Sequence, residues 1–321
     1  MEQNQMGKNL CRKNSINHKM DLFAADIYAS FVTMEKKISI KWPENRKFAA
    51  CLSHDVDVPF KYNLVGLLKE VKQNPKNSLS PFYNFITREN PYWQFENIME
   101  IEKSYGFKST FFFCAKRRHI KDPYYHIKNN KIQNIIKKLD REGFEIGLHG
   151  SYLSYNNKKY LEEEKKILES ILKKKVIGNR QHFLNFNQKT PKILEELGFI
   201  YDSSFGSTKK VGFKNNKYYP FYYGKLLEIP LNAMDAVLFN QSKSYEKAWQ
   251  KIKKLIDDAE KKSTLITFNW HQRVFYEPEF RGWGKLYIQI LDYIKRKNAY
   301  VNTLGNIAKL FENGRRVGYN K

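Results

Sequence analysis

From Phe48 onward, short apolar runs alternate with amphipathic stretches, and several of those runs lead directly into Asp, Arg or His. Alternation of this kind calls for parallel strands joined by crossover helices, because parallel neighbours cannot be linked by a tight turn. The predicted strands are Phe48–Leu52, Ser109–Cys114, Phe144–Leu148, Val176–Asn179, Leu227–Leu231, Leu265–Asn269 and Tyr300–Asn302. Between them, apolar residues at helical spacing predict helices over Ile132–Arg141, Lys159–Lys173, Lys189–Leu197, Tyr245–Lys261 and Lys285–Lys297. Seven strands in this order predict an α/β fold, a closed or nearly closed barrel of the (β/α)7 type related to the TIM barrel. Residues 1–45 read as an N-terminal lead-in with a helix-like pattern over Met20–Met34, residues 46–315 as the barrel domain, and 316–321 as a tail.

In such a barrel the carboxyl ends of all strands open on one face, where catalytic groups collect. That face would gather Asp55 and Asp57 after the first strand, His149 after FEIGL, Arg180 and His182 after the fourth, Asp235 beyond LEIPL, and His271 after LITFNW. Four of the seven histidines, counting His54, fall at strand ends. Asp55 and Asp57 are two apart, so on an extended strand their carboxylates share a side while His54 turns away and reads as structural. Two carboxylates side by side repel, and a divalent cation or a retained proton relieves this. His149, on a neighbouring strand end, completes a plausible start of a metal site. His18, His119 and His126 have no evident partner in sequence.

The net charge of +24 comes from 57 basic residues dispersed over helical segments such as KAWQKIKKLIDDAEKK. That pattern describes a solvated helical surface, with phosphate-bearing sugars or an anionic membrane surface as the partners it would favour. A nucleic-acid partner ranks last, since no zinc-finger, RNP-like or basic-helix signature is present. Cys11, Cys51 and Cys114 form neither an even framework nor a C-x-x-C pair, and no apolar run approaches a membrane span. With a polar start that lacks a signal-peptide core, the expected location is cytoplasmic, with peripheral contact at the inner membrane face.

In order, SHDVD, EIGLHGSYLSY, GNRQHFLNF, FIYDSSFG, LEIPL and LITFNWHQ resemble the successive motifs of the polysaccharide deacetylase family, carbohydrate esterase family 4 with its NodB-type domain. The resemblance runs from about Phe48 to Asn313 and is strongest to the bacterial branch found in surface-polysaccharide gene clusters. It implies a distorted barrel and metal-dependent removal of an acetyl group from an N-acetylated sugar. Position by position, it makes Asp55 the general base, Asp57 and His149 metal ligands, Arg180 the residue orienting the base, and His271 the general acid. The backbone N–H near Phe183 would join in holding the oxyanion.

One departure stands out: the family's His-x-x-x-His has Leu153 in place of its second histidine. Zinc, the first expectation for the cation, normally takes three protein ligands in a catalytic site, and His182 is the replacement candidate, with a sugar-pocket role as its alternative. Tyr152 and Trp270 are candidates for stacking on a sugar, and Asp235 for supporting His271, touching a sugar hydroxyl or capping the next element. Asp202-Ser203-Ser204 matches a family segment but also reads as an ordinary turn. The resulting expectation is deacetylation of a lipid-linked or nucleotide-linked N-acetylated sugar during surface-glycan (O-antigen or capsule type) assembly. The alternatives are hydrolysis of another amide or an O-acetyl ester, and a degenerate barrel that binds glycan without turnover.

Overall fold

The computed structural model describes residues 40–61 and 90–316, and from Lys41 onward these lie in one compact unit. The expected lead-in helix over residues 20–34, Cys11 and His18 lie outside the described residues.

The strands are β1 (Ala49–Val56), β2 (Thr110–Phe113), β3 (Glu145–Gly150), β4 (Gly178–Gln181), β5 (Tyr201–Asp202), β6 (Phe221–Tyr223), β7 (Leu226–Glu228), β8 (Ala233–Met234), β9 (Leu265–Asn269) and β10 (Tyr300–Val301). They form one sheet in the order β6-β7-β5-β4-β3-β2-β1-β9-β8. Every pairing along it is parallel except β6 with β7. β10 pairs with the start of β1 at Ala49 and Ala50, on whose further half Ser53–Val56 pairs with β2.

The α/β barrel-type architecture is therefore present, but as a curled half-barrel. Among the described residues its end strands β6 and β8 do not pair, and the strands number ten, where seven in a closed or nearly closed ring were predicted. The additional strands β5, β6 and β8 are only two or three residues long, too short to register as an apolar run.

The α-helices among the described residues are α1 (Phe95–Ser104), α2 (Asn130–Arg141), α3 (Lys158–Leu172), α4 (Thr190–Glu196), α5 (Asp235–Ser242), α6 (Tyr245–Lys261) and α7 (Trp283–Arg296), which lie between strands, and α8 (Leu304–Arg316), which follows the last one. In α2, Ile132, Ile135, Ile136 and Leu139 fall on one buried face, and the Asn129 side chain caps the helix by accepting from Lys131 N. Asn157 and Ser244 cap α3 and α6 in the same way. One apolar cluster joins α1, α2 and α3 to β2 and β3; another joins α6 and α7 to β1 and β9. β1 is buried along its whole length, as a strand covered by helices must be.

Two polar clusters are sealed inside. Behind β1, His54 presents Nδ1 to the Trp270 carbonyl and Nε2 to Glu102 Oε1 at 2.8 Å, and Tyr287 donates to the same oxygen. Beyond β4, Asp202 and Glu228 are register partners on β5 and β7. Burial drives both carboxyls above their ordinary values, and for Glu228 the adjacent Asp202 adds to the effect, so burial and mutual repulsion both favour a proton retained on this pair.

Candidate active site

The parallel register brings the carboxyl ends of β1, β3, β4 and β9 to one edge, and there Asp57 becomes the meeting point of three imidazoles. His149 Nε2 lies 3.3 Å and His182 Nε2 3.6 Å from Asp57 Oδ1, while His271 Nε2 lies 3.3 Å from Oδ2. His149, His182 and His271 are buried, and the Asp57 side chain retains 20% exposure, so the cluster opens to solvent beside this carboxylate.

Each ring is turned by an acceptor behind it. His149 Nδ1–H donates to the Arg180 carbonyl at 2.9 Å, His271 Nδ1–H to Asp235 Oδ1 at 2.8 Å, and His182 Nδ1 faces Asp122 Oδ1 at 3.4 Å. With the proton on Nδ1, a neutral ring at His149 or His182 offers its Nε2 lone pair toward Asp57.

Asp57, His149 and His182 place one ligand atom each within 4.8 Å of one another. Asp57 Oδ1 is buried with no hydrogen-bond partner among the described residues: the His149 and His182 nitrogens approach it without hydrogen-bond geometry. An orphaned carboxylate oxygen facing two imidazole nitrogens is a donor set that suits a zinc-like divalent cation. Burial opposes ionisation of Asp57, but the flanking His149 and His271 hold its carboxyl well below the ordinary range.

Asp55 sits one pleat behind, 3% exposed. Arg180 Nη1 donates to its Oδ1 at 2.9 Å, Asn269 Nδ2 donates to its Oδ2 at 2.7 Å, and Asp55 N donates back to Asn269 Oδ1. Burial is outweighed by Arg180, His149 and His271, so Asp55 is ionised below its ordinary range. Arg180 is itself fixed through Nε to the Ser203 carbonyl and Nη2 to Ser203 Oγ, and its Nη1 also reaches Ser53 Oγ. Burial would push His271 down, yet the Asp235 and Asp57 carboxylates raise it to about 10, which keeps it an imidazolium at neutral pH.

The remaining expectations separate. His54 does not join the cluster; it serves the sealed group behind β1. Trp270 is wholly buried between Phe239 and Tyr287, and its Nε1 donates to the Trp283 carbonyl, so it cannot stack on a sugar. Asp235 is also fully buried: its oxygens take His271 N, His271 Nδ1 and Ala236 N, which leaves it a support for His271 at the start of α5 and not a sugar contact. Phe183 and Tyr152 do reach the rim, in edge contact at 5.5 Å, with Phe183 51% exposed and held at φ 58°. Leu153 is exposed as well.

Two residues in the cluster escaped sequence reasoning, and a third stood out there without a role. Asn269 clamps Asp55 from both sides, and its place two residues before His271 on a predicted strand was the available signal. Ser203, in the segment that resembles a family motif and also reads as an ordinary turn, holds Arg180. Asp122, in the irregular loop after β2, carried no signal.

A family model described as WbmS-like polysaccharide deacetylase matches residues 90–276, more than half of the chain, spanning His149, Arg180, His182, Asp235 and His271 and beginning after Asp57. No curated protein matches. Among solved structures, a Mycobacterium smegmatis protein assigned as a polysaccharide deacetylase is similar at TM-score 0.60 and 17% identity, covering 86% of this chain and 94% of its own. The PuuE allantoinase is similar at TM-score 0.58 and 16% identity, covering 84% and 91%. A Pseudomonas aeruginosa PAO1 protein assigned as a polysaccharide deacetylase is similar at 0.58 and 15%, covering 84% and 92%. At these identities the structures establish a shared fold.

Proposed function

The chain belongs to the WbmS-like polysaccharide deacetylase family, and from that premise we propose that it is a metal-dependent hydrolase removing the acetyl group from an N-acetylated sugar during surface-glycan assembly. The observation that carries the reading is the convergence of His149, His182 and His271 on Asp57, with the Arg180–Asp55 pair immediately behind.

Asp57, His149 and His182 would hold the cation, zinc being the first choice for two imidazoles and one carboxylate. Bound there, a divalent cation supplies Lewis-acid polarisation of the acetyl carbonyl and lowers the pKa of water. Asp55, ionised and clamped by Arg180 and Asn269, takes a proton from the attacking water. The carbonyl oxygen, negative once the water oxygen bonds to carbon, accepts from the Phe183 N–H, presented at the mouth by the left-handed turn there. His271, kept protonated by Asp235, delivers its Nε2 proton to the nitrogen as the C–N bond breaks, releasing acetate and a free amine. Phe183, half exposed, offers a ring face on which a pyranose would lie, with Tyr152 set edge-on beside it at the rim.

The charge of +24 favours a phosphate-bearing substrate, lipid-linked or nucleotide-linked, handled at the cytoplasmic face of an anionic membrane. None of the described helices is long and apolar enough to cross a membrane. The test is acetate release by the zinc-loaded protein from N-acetylhexosamine conjugates, with O-acetylated conjugates in parallel. Chelator-sensitive release from the N-acetyl set supports the reading; release only from the O-acetyl set overturns it.

A further inference from the structure

Asp122 lies in the loop between β2 and α2, yet it is 1% exposed. Its Oδ2 accepts from Arg118 N and His119 N at 2.8 Å each, and its Oδ1 accepts from Tyr152 N at 2.6 Å. The same Oδ1 faces His182 Nδ1 at 3.4 Å. Arg118, at the head of this turn, is anchored by Glu163 and Glu164, and Glu164 also receives Ser151 N and Oγ. The loops after β2, β3 and β4 therefore meet at one carboxylate.

His182 needs such an anchor. It opens a short turn, His182–Leu184, whose next residues Phe183 and Leu184 both have positive φ, 58° and 55°. No regular secondary structure beyond β4 locks the ring, and which nitrogen carries the proton is set by what the other faces.

We propose that Asp122 is a positioning residue that makes His182 a metal ligand: fixed by three loop amides, it holds the Nδ1 proton and aims Nε2 at Asp57. The ligand that position 153 does not supply would thus come from the end of β4, braced by a loop from the strand two places away in the sheet. A carboxylate behind a ligating imidazole orients the ring and raises its basicity, and its loss typically costs about 10- to 100-fold in metal affinity. The inference rests on His182 being the third ligand.

A double-mutant cycle with Zn2+ affinity as readout, measured by competition with a chromophoric chelator, tests it. Asp122→Asn and His182→Ala should each weaken Zn2+ binding by about 10-fold or more. The double variant should bind no more weakly than His182→Ala alone, because Asp122 acts only through that ring. Asn at 122 also disturbs the loop amides, but that damage persists without the histidine. A full additional loss on the His182→Ala background therefore marks a purely structural role and overturns the proposal, as does wild-type affinity in Asp122→Asn. If His182→Ala itself binds Zn2+ like wild type, the third-ligand reading fails and this inference falls with it. Apo-protein melting curves on all four proteins show how much of each loss is loop damage.

Discussion

Arg180 reaches Asp55 at 2.9 Å while Ser203 holds two other corners of the same guanidinium, so the proposed base on β1 is oriented from β4 and the β5 exit and not by its own strand. Asp57, two residues on, has no such guanidinium partner among the described residues; its oxygens face imidazoles instead. The two carboxylates of one D-x-D pair thus have different surroundings and should have separable tasks.

Asp55→Asn is expected to keep its cation and lose turnover by roughly 10²- to 10⁴-fold, the usual contribution of a positioned acid or base. Asp57→Asn is expected to lose the cation itself. Metal content measured beside acetate release checks both, and equal metal loss in the two variants would refute the division of labour.

Asp235→Asn should move the alkaline limb of the kcat/KM profile to lower pH. Asp235 is a main reason His271 stays protonated up to about 10, so removing its charge lowers that value and the acid form disappears sooner as pH rises. A fall of roughly 10²-fold in kcat/KM should accompany the shift. An unmoved limb in the pH–rate profile would show that His271 is not the proton donor to the amine.

Much of this was legible in the sequence, and the failures have physical causes. The long strands β1, β3 and β9 and the helix Tyr245–Lys261 were predictable because buried parallel strands are continuous apolar runs and amphipathic helices repeat at 3.6 residues. Strand-end chemistry follows from parallel topology, which is why the sequence alone puts His149, His182 and His271 at one mouth. Trp270 misled because strand alternation says which side a residue faces, not what covers that side; Phe239 and Tyr287 do. Asp122 was invisible because its role depends on a loop fold that has no periodicity.

Trp270→Ala should therefore act on stability, by roughly 3–5 kcal/mol in denaturant unfolding, as for other buried large aromatics. Tyr152→Ala should leave stability nearly unchanged and raise KM for the sugar. A KM effect from Trp270→Phe without loss of stability would contradict the burial argument.

The Asp202–Glu228 pair predicts a pH-dependent stability difference. Both carboxyls are raised, so between the ordinary value and the raised one the folded state binds more protons than the unfolded chain, and stability falls as pH rises. Glu228→Gln mimics the protonated form: it can still accept from Phe205 N and donate toward Asp202. Relative to wild type it should gain stability in urea unfolding as pH rises above the ordinary carboxylate range. A difference independent of pH would show that the pair does not retain its proton.

Elemental analysis of the purified protein and its His182→Ala variant decides whether Asp57, His149 and His182 hold a cation. One equivalent of zinc or a similar divalent ion in the wild type, reduced in the variant under the same chelator challenge, is the predicted result. A wild type that takes up no stoichiometric metal when supplied with zinc would contradict it.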